Sequence, residues 1–172
     1  MKNLRLQPLR SGEEGIASDL VMRSYLAATT TDDSAEGVAE FTRYAAADSI
    51  SRRMGEGSVV VVGFLGTVAV GVVELRKPGH IGLLFISPGH QKSGVGRLLC
   101  EAAIEAFARM LPRPPKVTVN SSPGAVAFYE KVGFLIAGAL TELKGIRFVP
   151  MERELGVTSS TARDRSGPFP KR

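Results

Sequence analysis

Two periods of apolar and polar positions alternate along this chain, and the switches between them mark its elements. In residues 3–8, NLRLQP, Leu4 and Leu6 share a face at a spacing of two, which predicts an opening strand. From Glu13 to Thr29 the positions Ile16, Leu20, Met22 and Leu26 are loosely helical. After the polar stretch TTTDDSAEG, a second helical stretch from about Ala35 to Arg53 carries Val38, Phe41, Tyr44, Ala45 and Ile50 mainly at helical spacing. SVVVVGF (58–64) and TVAVGVVELR (67–76), joined at Leu65-Gly66, predict a valine-rich β-hairpin, and HIGLLFIS (80–87) follows the Pro78-Gly79 turn as a further apolar strand. From Gly94 to Met110, Leu98, Leu99, Ala102, Ala103, Ala106, Phe107 and Met110 fall on one helical face, and Pro112, Pro114 and Pro115 stop that helix. KVTVN (116–120) is a short strand, and Ser122 as N-cap with Pro123 at the first helical position opens a short helix to about Val132. A strand around Phe134–Gly138 and a last one, IRFVPMEREL (146–155), complete the pattern, with Pro150 calling for an edge position or a bulge.

The order strand, two helices, three strands, helix, strand, helix, two strands describes a mixed α+β sheet rather than a regular doubly wound one. At 172 residues the chain is expected to form one domain, over residues 1–155, followed by a Ser/Thr/Gly/Pro-rich tail over 156–172 that reads as disordered. The formal net charge of +5 raises the question of a nucleic-acid partner. The tail holds Arg163, Arg165, Lys171 and Arg172 against Asp164, so the body carries only about +2. With no Trp and no basic helical stripe, the body does not read as a nucleic-acid binder. The single cysteine, Cys100, permits no intramolecular disulfide, no apolar run approaches the roughly 18 residues of a membrane span, and the N-terminus lacks a signal-peptide core. The expectation is a soluble, cytoplasmic protein with no membrane partner. No His/Cys/carboxylate cluster has metal-ligand spacing, so no metal is expected.

The stretch HQKSGVGRLL (90–99) places a glycine-rich turn directly before a helix, a ready site for an anion because the first helical N–H groups lack intrahelical partners. The Rossmann pattern fails, since Leu99 stands where a third small residue is needed. The Walker pattern fails as well, with Val95 and Gly96 where Lys and Ser or Thr are required. What remains, Gln91 followed by Gly94-Val95-Gly96 after a strand, resembles the Q/R-x-x-G-x-G/A signature of the GNAT (GCN5-related N-acetyltransferase) superfamily. Downstream, NSSPGAVAFYEKVGF (120–134) resembles the second signature of that family, and the similarity in element order covers roughly residues 3–155.

The resemblance implies an α/β (mixed α+β) GNAT fold: a central, mixed, mostly antiparallel, twisted sheet of about seven strands flanked by about four helices and splayed after strand 4. It implies acetyl-CoA (coenzyme A) as cofactor, and direct acetyl transfer to an amine without a covalent enzyme intermediate. The backbones of Leu84, Phe85 and Ile86 are then expected to take the pantetheine arm. The N–H groups of Gln91 to Gly96, Val95 included, are expected to hold the pyrophosphate, with glycine at 94 and 96 clearing the approach and Lys92, Ser93 and Arg97 flanking it. Tyr129 matches the family tyrosine that protonates the leaving thiolate, against the plainer alternative that Phe128 and Tyr129 are core aromatics. Asn120 matches a polar strand-end residue that helps hold the cofactor, and shares helix-start turn chemistry with Ser122. For the general base the candidates are His80, whose reference pKa of about 6.5 suits it, and Glu74 on the neighbouring strand, acting itself, through water, or by orienting His80. His80 is equally well explained as the residue after a turn, and His90 reads as solvent-facing. Cys100 lies inside a helical run with no histidine nearby in sequence, so it reads as a packed residue rather than a nucleophile.

KGIRFVPMERE (144–154) resembles the last strands of a small bacterial GNAT subgroup, which places Arg147 and Glu152 in an acceptor cleft, in a dimer contact or in plain surface pairing. No motif names the acceptor. A small-molecule amine is favoured over a protein amine, and family habit suggests a homodimer. The alternatives are a noncatalytic acyl-CoA-binding or regulatory module and a nucleic-acid role carried by the basic tail.

Overall fold

In the computed structural model the described residues are 3–28, 33–109 and 114–155. The chain runs β1 (Leu4–Pro8), α1 (Glu14–Ala28), α2 (Ala35–Ala45), α3 (Ala47–Gly55), β2 (Val59–Leu65), β3 (Val68–Arg76) and β4 (His80–Ile86). It continues through α4 (Val95–Ala108), β5 (Lys116–Ser121), α5 (Val126–Lys131), β6 (Leu135–Ile136), β7 (Thr141–Leu143) and β8 (Ile146–Glu154). Short 3-10 turns at Pro88–His90 and Pro123–Ala125 lead into α4 and α5. The strands form one sheet in the order β1-β2-β3-β4-β5-β8-β6, with β7 on β8. All pairs are antiparallel except β4 with β5.

Strand alternation divides the core between the two faces of this sheet. On one face Val61, Val70, Val73, Leu75 and Ile81 pack with Val95, Leu99, Ala103 and Ile104 of α4 and with Tyr129 and Phe134. On the other, Val60, Val62, Val72 and Leu83 pack with Ala17, Leu20 and Val21 of α1, Ala45 of α2 and Ile50 of α3. Each fully buried aliphatic side chain contributes about 1.5–3 kcal/mol. α4 lies very close to β3, since a Cβ at Gly71 would come within 2.6 Å of Leu99 Cδ1 and 2.8 Å of Ile86 Cδ1.

Three features differ from the sequence reading. The single helix expected over Ala35–Arg53 is broken at Ala46, whose ψ of 144° is extended. Arg53 Nη1 donates to the Tyr44 carbonyl (2.9 Å), satisfying an acceptor near the end of α2. Second, β7 forms a hairpin with β8 across Lys144-Gly145, both at positive φ (52° and 75°), a primed two-residue turn. Third, β8 lies between β5 and β6, so Pro150 is in an interior strand. Its carbonyl accepts from Ala137 N–H (2.8 Å), so its missing N–H falls on the same side, in the gap between the residues paired with β7 and those paired with β6. The predicted tail, 156–172, lies outside the described residues, as do Thr29 and Met110.

Candidate active site

β4 and β5 run parallel, yet they pair only at His80–Thr118 and Ile81–Val119. Beyond that point β5 continues on β8, through Asn120–Pro150 and Ser121–Val149, while β4 stays on β3 as far as Ile86. The backbone of Gly82–Ile86 therefore has a strand on one side and a wedge-shaped opening on the other. An extended ligand with amide groups could continue the ladder there as an added strand. Leu84 and Ile86 turn their side chains to the α4 face and Phe85 to the α2 face, which leaves their backbones as the wall of the opening. At its apex β4 bulges: Leu75 pairs with Ile81 and Glu74 with Leu83, so Gly82 has no partner on β3.

The turn after β4 leads into the N-terminus of α4. Lys92 and Gly94 both have positive φ (57° and 87°), and Leu98 N–H donates to the Gly94 carbonyl (3.2 Å) to close the first turn. Gln91 donates through Nε2 to the Ile86 carbonyl (3.4 Å), and Ser93 Oγ donates to the His90 carbonyl. His90, half-buried rather than solvent-facing, shares a hydrogen bond between Nδ1 and Ser87 Oγ (2.8 Å). Val95 is buried, whereas Gln91, Lys92, Ser93 and Arg97 are exposed. Among the described residues neither Lys92 nor Arg97 forms an ion pair, so both cations face solvent beside the helix start. The two glycines serve different ends. Gly94 is needed for its backbone conformation, but a Cβ at Gly96 would press on the Phe128 ring (3.2 Å to Cε2), so Gly96 seats α5 against α4.

On the α1–α3 face, at the apex, lie His80 and Thr118, paired across β4 and β5, with Arg76 opposite His80 on β3. His80 Nδ1 is 2.9 Å from Thr118 Oγ1, and that hydroxyl lies 3.5 Å from the Gly79 carbonyl as donor. Burial first, and the Arg76 charge second, hold the His80 pKa below its ordinary 6.5, with Glu74 opposing. Glu74 is fully buried, and both its oxygens accept from Arg53, at 2.7 Å from Nε and 2.9 Å from Nη2. It stands across from Leu83 rather than His80. The Arg53 guanidinium also covers the Tyr44 ring, 4.1 Å from its centroid. Arg76 Nη1 donates to Tyr44 Oη (3.2 Å), and that hydroxyl lies against the bulge, where a Cβ at Gly82 would collide with it.

Tyr129 lies on α5 in the other face's core, 5% exposed, its ring edge-on to Phe128 (5.1 Å) and Phe134 (5.4 Å). Burial, and less so Cys100, push its phenol well above the usual tyrosine range, so it holds its proton. Cys100 is buried on α4, its thiol pushed up to about 12 by burial, which leaves no thiolate for nucleophilic work. Asn120 is exposed just beyond the last β4–β5 pair. Ser122 precedes the second 3-10 turn but makes no side-chain cap, contrary to the expected N-cap bond. Arg147 is exposed across from Glu142, and Glu152 accepts from Lys116 Nζ (2.6 Å). Among the described residues no three His, Cys, Asp or Glu gather as a metal-binding group, and no helix is long and apolar enough to cross a membrane.

Residues 29–155 match the family model of the acetyltransferase (GNAT) domain. The chain belongs to the GNAT family. Among solved structures it is similar to a GCN5-related N-acetyltransferase from Rhodopseudomonas palustris, with 24% identity, TM-score 0.71, and 90% of this chain and 98% of that one covered. A PaiA N-acetyltransferase from Thermoplasma acidophilum, solved with coenzyme A, aligns at 13% identity and TM-score 0.74 over 89% and 99% of the two chains. The apo form of YjaB from Escherichia coli aligns at 27% identity and TM-score 0.61 over 87% and 96%. A search of curated protein sequences gives no match.

As a GNAT domain the chain is an acyltransferase, and acetyl-CoA is its acetyl donor. The opening beside Gly82–Ile86 and the exposed cations at the α4 N-terminus fit that donor: a free ladder edge for amide groups, and dipole and charge for phosphates. Sequence reasoning overlooked Tyr44, Arg53, Arg76 and the bulge at Gly82. An isolated glycine inside the apolar strand HIGLLFI was the available signal for the last.

Proposed function

We propose that this GNAT protein transfers acetyl groups directly to a small-molecule amine at the parting of β4 and β5, with His80 as general base and Tyr129 as general acid. The parting itself supports the reading, because it frees a strand edge that runs from the His80 end of β4 towards the glycine turn before α4. Leu84, Phe85 and Ile86 would line the donor's pantetheine arm with backbone groups. The turn from Gln91 to Gly96, with Lys92, Ser93 and Arg97 beside it, would hold its phosphates, and Asn120 and Ser122 lie on the opposite bank. Bound there, acetyl-CoA supplies an acetyl group activated as a thioester.

His80 suits the base role better than Glu74. Glu74 has both oxygens committed to Arg53 and is closed to solvent, so it acts as a positioning residue for that face. With the Thr118 hydroxyl donating to the Gly79 carbonyl, Thr118 Oγ1 accepts from His80 Nδ1–H, which leaves the Nε2 lone pair for the acceptor's ammonium proton. A lowered pKa keeps that imidazole neutral near pH 7. Tyr129 Oη holds a proton for the departing sulfur, and its burial ensures that the phenol is the populated form. The β7–β8 turn is tied to α2, where Ser34 N–H donates to the Gly145 carbonyl (3.3 Å) and Lys144 pairs with Glu40 (3.0 Å), so it would bound the acceptor side. A strap seated on α2 suits a compact acceptor better than a threaded polypeptide.

Calorimetric titration with acetyl-CoA, followed by thiol release with a panel of amines, tests the reading. Binding with release is expected. Tyr129→Phe should keep donor affinity while lowering kcat by about 10²-fold. Full activity in that variant removes Tyr129 from the acid role, binding without release leaves a noncatalytic module, and no binding overturns the donor site.

A further inference from the structure

Ion pairs join several cations of the acceptor face to carboxylates, and among the described residues Arg76 takes part in none of them. Arg53 and Glu74 neutralise each other, Lys116 meets Glu152, and Glu40 meets Arg43 and Lys144. Asp33 accepts from Tyr25 (2.6 Å). Arg76 forms no ion pair among the described residues, and its hydrogen bond there is the one to Tyr44 Oη. Glu74, whose oxygens are both taken by Arg53, and to a lesser degree Glu56 influence it only through space. A guanidinium presents five N–H donors in a planar fork, so most of this one is available. It is also half-buried, and a partly desolvated cation gains most from a partner of opposite charge.

The group is held in place. Its Cδ lies so close to the β4 bulge that a Cβ at Gly82 would be 2.9 Å away, the Tyr44 hydroxyl fixes Nη1, and the Tyr44 ring centroid is 5.8 Å from its Cζ. Arg76 and His80 are cross-strand partners, so their Cα atoms are about 5 Å apart. An anion on Arg76 would belong to the same small molecule whose amine meets His80.

Resting on the proposed transfer site, we infer that Arg76 anchors a carboxylate, and that the acceptor is an amine carrying one, of the amino-acid class. A simple amine or polyamine would bring only positive charge to a face with a cation that has no ion-pair partner, whereas an amino acid offers the opposite charge where that cation stands. The planar fork suits a bidentate carboxylate in particular. Neutralising Arg76 in this way would also remove one of the influences that lowers His80's basicity, making the base stronger when the right acceptor is bound.

The test uses the full chain saturated with CoA. N-acetylated amino acids and their C-terminal amides are titrated into it by calorimetry. In parallel, amino acids, their amides and their decarboxylated amines are compared for thiol release with acetyl-CoA. The carboxylate forms are expected to bind and to turn over with KM at least about 10-fold lower than the matched amides. Arg76→Gln should bring that ratio close to one, a loss of about 10-fold or more, Arg76→Lys should restore part of it, and Tyr44→Phe should weaken it several-fold, with CoA affinity and Tm as controls of folding. Equal or better use of amides and amines, an unchanged ratio in Arg76→Gln, or no binding and no turnover of any carboxylate compound overturns the assignment. Loss of CoA binding in the native protein would instead overturn the donor site beneath it.

Discussion

His80 shows how two neighbours set the working range of one side chain. As the proposed base it would lose its Nε2 lone pair on protonation, so activity is expected to fall as pH drops through its pKa, which burial together with Arg76 holds below 6.5. The acid limb of kcat/KM is therefore expected below pH 6.5, and His80→Ala should abolish that limb along with most of the rate. Arg76→Gln should move the limb upward, since it removes a positive neighbour while Glu74 remains. A limb that stays at the same pH in both variants would assign the titration to another group. The glycine turn and helix start over Gln91 to Arg97, the proposed phosphate turn, could be recognised in the sequence because these residues are contiguous and their chemistry is local backbone chemistry. The cluster of Tyr44, Arg53, Glu74 and Arg76 could not, because Arg53 and Glu74 are 21 positions apart and Tyr44 and Arg76 are 32 apart, and only the fold brings them together.

Between elements, the same cluster ties α3 to β3 and caps α2. Arg53 gives two bonds to Glu74 and one to the Tyr44 carbonyl, and its side chain is 5% exposed. A buried pair of this kind adds little over an apolar replacement, but breaking it strands a charge. Glu74→Gln is expected to cost about 3–5 kcal/mol, read as a fall in urea midpoint, while Arg53→Met with Glu74→Leu together should recover most of that loss. A cost below about 1 kcal/mol for Glu74→Gln would mean that water reaches the pair. This contact also explains why the α2–α3 break was not legible. Ala45, Ala46 and Ala47 all favour helix, and the interruption is imposed by packing and by the guanidinium waiting for the freed carbonyl. The near-continuous, β-branched apolar runs of β2 to β4 and the alternation of β5 could be read directly. β7, all exposed, carried no alternation to read, and its evidence was the positive-φ turn that follows it.

At the scale of the molecule, the sheet is two ladders joined at a seam. β1 to β4 pair along most of their lengths, and β5 with β8 does so over six residue pairs, but β4 and β5 share only two. Helix packing of α4 and α5 holds the halves together on one face, through Phe128 on Gly96 and Tyr129 and Phe134 in the shared core. A ligand laid along Gly82–Ile86 would supply the ladder contacts the seam lacks, so binding energy should be coupled to the stability of the junction rather than to either half alone. With CoA at 100 times its Kd the native state should gain about 2.7 kcal/mol, a rise in Tm of several degrees for a domain of this size. The spatial pattern is the sharper test. Hydrogen exchange should slow at the β4 amides of residues 82–86 and in the turn 91–97, while β1 and β2, already paired and remote from the seam, change little beyond the global shift. Uniform slowing with no excess at β4 would place the ligand elsewhere, since only an occupant of the opening adds partners to amides that have a strand on one side alone.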